Sequence, residues 1–458
     1  MTKILVWNIQ NFTNGRINPT AKAKKAKNVQ ETIRLNHILD TLRSNPPDIF
    51  SVLEVQPGSR KLNDGDLVQG TGEQGCLFLL NAINNDPQLG DLNNPLPANR
   101  KPWRIVPPLV SGAGGRTEAV AVFYNSLTVQ FMGPSQWKGG VAYPAPWNNG
   151  AITSGNNKAA QILFKKAVQG QGPVNKQAIQ IDFPTAQHRS PYLTQFKELK
   201  DHQRIIYLYS IHTSPAEAVE GTANIALITD LQRQLNNDEV IVIAGDFNVT
   251  QDPGFKVNGV TKANASYGEL VKIGFTQEFD AAKIIPAPGG KVTQYHYVTT
   301  HLRPRKTKKV QDPDWKAVGV TQRKAADPWG DYPPYGYMSS APEDTLDNIF
   351  TKYPPHQPAV KSPAGIPYPS QSQNSMIVNR VVGAPYNLPP VGGGGVAQHP
   401  QGLVNPYPVD MNLWIPQYHS GLRRDNTRKA GLTSMFRGFN NYGKIRLTSD
   451  HMAVYVEI

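Results

Sequence analysis

The chain has 458 residues, enough for one large core with insertions or for two domains, and no uninterrupted apolar run approaches the ~18 residues of a membrane-spanning helix. Lys and Arg number 47 against 34 Asp and Glu, a formal net charge of +13, which favours polyanionic partners: nucleic acid, anionic lipid surfaces or phosphorylated small molecules. The single cysteine, Cys76, excludes an intramolecular disulfide framework.

The first predicted element is a strand in KILVWNI, beginning at Lys3. No signal peptide precedes it, so the expected location is cytoplasmic, or outside the cell by a leaderless route or after removal of a leader. Residues 29–43 place Ile33, Leu35, Ile38, Leu39 and Leu42 largely on one helical face, with Pro46 and Pro47 as a stop. Further strands are expected in DIFSVLEV, EAVAVFYN and RIIYLYSIH, all rich in Val, Ile, Phe and Tyr between turn formers. A second amphipathic helix is expected over 216–236, where Ile225, Ile228, Leu231 and Leu235 share a face. Strands in EVIVIAGDF, DNIFTK and HMAVYVEI complete the pattern. Strands alternating with amphipathic helices predict an α/β sandwich. Segments at about 57–100, 136–200, 286–343 and 353–443 are crowded with Gly, Pro, Asn and Gln and read as insertions. Because strand-like runs continue to the last residue, one interrupted domain over 1–458 is expected. Cys76, in CLFLLNAIN, reads as a buried thiol.

Polar residues gather at the predicted strand tips. Asn8, Glu54 and His212 end their strands, Asp246 and Asn248 follow IVIAG, and Glu118, Asp347 and the Asp450/His451 pair precede theirs. In a mixed sheet, the C-terminal tips of strands running one way share a rim with the N-terminal tips of those running the other way. These residues are therefore expected to converge. Each has a plainer reading: Asn8 as a turn residue, GDFN as a turn, Asp347 at a strand edge, a lone His as structural. Glu54 in an apolar run resists it, since a buried carboxylate needs a cation or donor beside it. Together, carboxylates, amides and imidazoles at one rim point to metal-assisted phosphoester hydrolysis.

The strings WNIQNF, SVLEV, RTEAVAVFYN, IHTSPAEAV, IAGDFN, LDNIF and SDHMAVYVEI resemble, in order, the endonuclease/exonuclease/phosphatase superfamily, and most closely its deoxyribonuclease I branch. They cover under half of the chain. The resemblance implies a four-layer α/β sandwich, with two central mixed sheets, helices outside and the site at one rim. It implies Glu54 as the principal divalent-metal ligand, supported by Asn8 and Asp450. Asp246 and Asn248 would position the scissile phosphate or hold a second metal. His212 with Glu118 and His451 with Asp347 would be acid/base dyads. Hard oxygen ligands suit Mg2+, and also Mn2+ or Ca2+. Where deoxyribonuclease I carries a DNA-contacting Arg and a Tyr, this chain has Gln56 and Arg116, so nucleic-acid contacts are expected to differ. The basic cluster Arg303, Arg305, Lys306, Lys308 and Lys309 would grip backbone phosphates, or is a solvated loop.

The leading expectation is a metal-dependent nuclease, an endonuclease on DNA, or on RNA, with little sequence preference. The alternatives are a phosphodiesterase or phosphatase acting on a lipid or small phosphate ester, and a catalytically silent nucleic-acid-binding module.

Overall fold

The computed structural model describes residues 2–21, 25–44, 46–58, 62, 68–90, 102–112, 117–138, 141–144, 189, 191–199, 203–251, 256–278, 346–355, 362–365, 448–449, 451 and 453–458. In chain order these form β1 (Lys3–Phe12), α1 (Asn14–Ile17), α2 (Lys25–Ser44), β2 (Ile49–Val55), α3 (Gly70–Asn84), β3 (Trp103–Ser111), β4 (Glu118–Asn125), β5 (Val129–Lys138), β6 (Val141–Pro144), β7 (Tyr192–Glu198) and β8 (Ile205–His212). A 3-10 turn at Pro215–Glu217 then leads to α4 (Ala218–Ile225), α5 (Thr229–Gln232), β9 (Glu239–Asp246), the hairpin β10 (Lys256–Val257) and β11 (Val260–Thr261), α6 (Lys262–Lys272), β12 (Thr276–Gln277), β13 (Asp347–Lys352), β14 (Ser362–Gly365) and β15 (Val454–Glu457).

Two sheets carry the architecture. One has the order β14-β15-β1-β2-β4-β3 and the other β12-β13-β9-β8-β7-β5-β6. Both are mixed: β1 runs parallel to β2, and β8 parallel to β9, while every other pairing in the two sheets is antiparallel. The period-two alternation of a strand decides which face each side chain joins. In β9, Val240, Val242 and Ala244 enter the core that also holds β1, β2 and β4, whereas Ile241 and Ile243 pack beneath Ile225, Leu231, Tyr267 and Leu270 of the helices. This is the expected sandwich, with sheets inside and helices outside. Away from the strand tips, a hydrogen bond of 2.8 Å between the buried hydroxyls of Ser51 on β2 and Ser210 on β8 bridges the sheets.

The differences from the sequence reading have local causes. The helix expected over 216–236 is divided into α4 and α5, although Ile225, Ile228, Leu231 and Leu235 are all buried. The spacing of three from Ile225 to Ile228 also fits a tight turn, and Ala226, Leu227 and Ile228 donate to carbonyls three residues back. The segment 57–100, read as an insertion, contains α3. Three glycines mask it, yet Gly72 is needed for packing: a Cβ there would lie 1.9 Å from the Gln56 carbonyl oxygen. Cys76 is buried on this helix, and burial pushes its thiol far up. Strand β3 was hidden by Pro107 and Pro108, which fall at a register shift between Val106 and Leu109 on the sheet edge. The segments 136–200 and 353–443 likewise contribute strands β7 and β14.

Helix α3 also holds an acid test of its packing. Glu73 is 1 % exposed, and burial pushes its carboxyl up to about 7, against a weaker downward pull from a Gly70 backbone hydrogen bond. As pH rises from 4.5, the unfolded carboxyl ionises while the folded one stays protonated, so stability falls progressively until the pH passes about 7, and the loss is complete above it. Glu73→Gln is therefore expected to raise stability above pH 7 by on the order of 2–3 kcal/mol and to change little near pH 4. Urea midpoints at the two pH values check this, and an equal gain at both would refute it.

Candidate active site

The strand tips meet along one rim. Across the second sheet, His212 is in register with Asp246, and Asp246 with Asp347. From the first sheet, Asn8 on β1 lies opposite Leu53 on β2, one residue from Glu54. Asn8 does not end its strand as expected, because β1 continues to Phe12 beyond a register shift. Gly245 allows β8 and β9 to close up here: with φ at 149°, a Cβ would sit 2.0 Å from the Ile211 carbonyl oxygen.

The backbone is strained at three non-glycine residues of this rim, Asn11 (φ 53°), Glu54 (φ 56°) and Asn248 (φ 50°). Such left-handed conformations persist where surrounding bonds enforce them. For Glu54 the bonds are visible: Oε1 accepts from Asn8 Nδ2 at 3.0 Å and Oε2 from the Asn11 backbone N–H at 2.8 Å. For Asn248, the backbone N–H donates to Asp246 Oδ1 at 2.9 Å and Nδ2 donates to the Thr213 carbonyl at 2.9 Å. Thr213 completes that corner by donating its hydroxyl to the Phe247 carbonyl. The GDFN and HTSP loops are thus tied together.

Asp246 is the centre of the cluster. It is 1 % exposed, and its Oδ2 lies 3.3 Å from His212 Nε2, 3.4 Å from His451 Nε2 and 2.9 Å from the Asn8 amide nitrogen that donates to it. Each imidazole has a carboxylate on its other nitrogen. His212 Nδ1 bonds Glu118 Oε2, and His451 Nδ1 bonds Asp347 Oδ2 at 2.8 Å. Such a carboxylate fixes the tautomer and raises basicity at the far nitrogen.

The electrostatics follow from this crowding. Burial alone would lower the His212 pKa, but the charges and hydrogen bonds of Glu118 and Asp246 outweigh it and hold the imidazole up at about 10. Burial would raise the Asp246 carboxyl, but the charge of His451, the hydrogen bond and charge of His212 and the Asn248 N–H hold it far below the ordinary range. Glu118 is likewise held low against burial, chiefly by His212 and then by Arg189.

Arg189 was not legible in the sequence as a member of this site. Its Nη2 pairs with Glu118 Oε1 at 2.8 Å, and its Nη1 reaches the His212 carbonyl at 3.5 Å. It precedes β7, a strand lying in a segment read as an insertion, so no local pattern marked it. Gln56 donates Nε2 to Asn11 Oδ1 at 3.2 Å beside Glu54. Asp450, Arg116 and the cluster Arg303, Arg305, Lys306, Lys308 and Lys309 lie outside the described residues.

Two arrangements suit a divalent cation. Asp246, Asp347 and His451 offer ligand atoms that all lie within 4.8 Å of one another, and His451 Nδ1 is also bonded to Asp347 Oδ2 at 2.8 Å. The second is Glu54 with Asn8. Both amide hydrogens of Asn8 are directed at carboxylates, and its buried Oδ1 has no hydrogen-bond partner among the described residues. A neutral oxygen without a donor beside a carboxylate is what a hard cation requires.

The chain matches the Endonuclease/Exonuclease/phosphatase family over residues 5–363. No curated protein matches it by sequence. Among solved structures it is similar to D. rerio TDP2 complexed with single strand DNA product, at 9% identity over 99% of this chain and 97% of that one, with a TM-score of 0.37. An endonuclease/exonuclease/phosphatase family protein from Leptotrichia buccalis aligns at 12% identity over 100% of this chain and 99% of that one, TM-score 0.38. An AP endonuclease from Archaeoglobus fulgidus aligns at 13% identity over 77% and 87%, TM-score 0.33. These distant likenesses carry no argument about activity. The family match spans well over half of the chain and takes in most strands of the two mixed sheets, with β15 and His451 beyond it; the chain belongs to the endonuclease/exonuclease/phosphatase family, a family of phosphodiesterase and phosphatase hydrolases.

Proposed function

We propose that the protein is a divalent-metal-dependent nuclease, a single-domain endonuclease cutting DNA with little sequence preference. The observation that carries the reading is the convergence of two carboxylate-backed imidazoles, His212 and His451, on one carboxylate oxygen of Asp246 within 3.4 Å. Two imidazoles oriented this way, facing one spot at a strand rim, suit one proton removal and one proton delivery across a phosphorus centre. The net charge of +13 favours a polyanionic substrate, and the HTSPAEAV block, which resembles the deoxyribonuclease I branch, favours a nuclease over a phosphodiesterase acting on lipid.

Glu54, Asn8 and Asp450 would hold Mg2+, or Mn2+ or Ca2+, which when bound supplies Lewis acidity toward the nonbridging phosphate oxygens. His451, its Nδ1–H held by Asp347, takes a proton from the attacking water at Nε2. His212 is kept protonated by Glu118 and Asp246, and its Nε2–H protonates the leaving oxygen. Both imidazoles have a carboxylate on Nδ1 and Asp246 near Nε2, and the assignment of His212 as acid and His451 as base is part of the proposal. Asn248 keeps one amide hydrogen for a phosphate oxygen after bonding Thr213. Arg116, Gln56 and the Arg303–Lys309 cluster are proposed to contact the nucleic-acid backbone.

Incubation with supercoiled plasmid, single-stranded DNA, RNA and sphingomyelin, each with Mg2+ or EDTA, tests the reading. Plasmid nicking in Mg2+ that stops in EDTA is expected. Sphingomyelin hydrolysis with intact plasmid would move the assignment to a lipid phosphodiesterase, and binding of DNA without cleavage would make the protein a silent binding module.

A further inference from the structure

His451 and Asn8 come from opposite ends of the chain, and the strand ladder joining those ends stops short of them. Among the described residues, the ladder of β1 with β15 runs from Lys3–Glu457 to Val6–Val454, and His451 lies beyond it in a bridge position. Beyond it, two side chains, Ser449 and Trp7, continue the registration. The buried hydroxyl of Ser449 donates to the Asn8 carbonyl at 2.5 Å and accepts the backbone N–H groups of His451 at 3.0 Å and Gln10 at 3.3 Å. With one proton and two lone pairs, that hydroxyl is saturated. On the other side of the same residue, the buried Trp7 indole N–H donates to the His451 carbonyl at 2.8 Å. The peptide groups of His451 are therefore held from both sides by β1, the strand that carries Asn8.

The Ser449 hydroxyl is engaged by the backbone of Asn8, Gln10 and His451, and the Trp7 N–H by the His451 carbonyl, so neither side chain is offered a part in proton transfer. We propose that Ser449 is a positioning residue, seconded by Trp7, which sets the His451 imidazole against Asn8 so that water deprotonation and the Glu54 side of the site stay in one geometry. The kinetic part of this proposal rests on the hydrolase reading above. A displacement on the scale of an ångström at such a site costs far more in turnover than in binding.

The experiment is a double-mutant cycle on plasmid and on bis(p-nitrophenyl) phosphate. Ser449→Ala should lower kcat roughly tenfold or more with KM changed by less than about twofold, and in a His451→Ala background it should cost less than about twofold, because its effect passes through His451. An equal fold-loss in both backgrounds would show a merely structural role and overturn the proposal. Trp7→Phe, which keeps an aromatic ring and removes the N–H, takes the place of Ser449→Ala in the same cycle if the latter does not fold. A second readout needs no turnover: the proton NMR resonance of His451 Nδ1–H, bonded to Asp347, should shift or broaden in Ser449→Ala, and an unchanged resonance would likewise overturn the proposal. If no phosphodiester is cleaved by the unaltered protein, the nuclease reading fails while the resonance still decides the positioning role.

Discussion

His451→Ala and His212→Ala are each expected to lower turnover by roughly 10²-fold or more, the usual scale for a positioned proton transfer, with little change in metal affinity. Their partners should give a graded series. Asp347→Asn and Glu118→Gln leave volume nearly unchanged and remove the charge that holds each imidazole, so each should impair turnover less than loss of the ring itself. In the double variants the pairing becomes decisive. Adding Asp347→Asn to His451→Ala, or Glu118→Gln to His212→Ala, should cost little beyond the histidine change, because members of one catalytic unit are non-additive. The bonds of Nδ1 to Asp347 and to Glu118 are the basis for these pairings. Additive losses within either pair would mean that the carboxylate acts by itself. Crossed combinations, Asp347→Asn with His212→Ala for example, serve as the comparison and should lose more than either single change.

The second large effect concerns Glu54. Its carboxylate carries the charge that would hold a hard cation beside the Asn8 oxygen, which has no partner among the described residues, and Glu54→Gln keeps the shape while removing that charge. Activity at fixed Mg2+ should fall by roughly 10²-fold or more, and the Mg2+ concentration for half-maximal binding should rise by at least about tenfold, given the preference of Mg2+ for carboxylate oxygen. Isothermal titration with Mg2+ measures the second quantity apart from catalysis. The alternative arrangement, Asp246 with Asp347 and His451, makes the opposite demand. If Asp347→Asn weakens the Mg2+ titration and Glu54→Gln does not, the cation belongs to that trio.

The rim itself was legible because its chemistry contradicts its surroundings. Glu54 interrupts an apolar strand, Asp246 follows a run of buried Val and Ile, and His451 stands just ahead of the last strand. A buried polar group in such a place needs a partner, and the alternation of mixed strands foretold that the partners would share an edge. Arg189 had no such contrast. It lies in polar sequence before a strand that the neighbouring Gln, Pro and Lys residues disguised, and only the pairing of β7 with β8 brings it to Glu118. Helix α3 was hidden in a similar way, since glycine disfavours a helix in isolation and only the contact of Gly72 with the Gln56 carbonyl shows why glycine stands there.

By itself, then, the sequence determined the alternating strands and helices, the apolar faces, the family and the chemical types available at the strand tips, all of which are read from periodicity and residue type along a short stretch of chain. The tertiary structure decided which of those groups touch. Asp246 stands between two imidazoles because β9 pairs with β8 on one side and β13 on the other, and His451 is held by Trp7 because the two ends of the chain meet in one sheet. Protonation depends on those meetings, since His212 is raised by a carboxylate from β4 in one sheet and another from β9 in the other. Coulombic and hydrogen-bond energies fall steeply with distance, and distance between residues far apart in sequence is a property of the packed sheets.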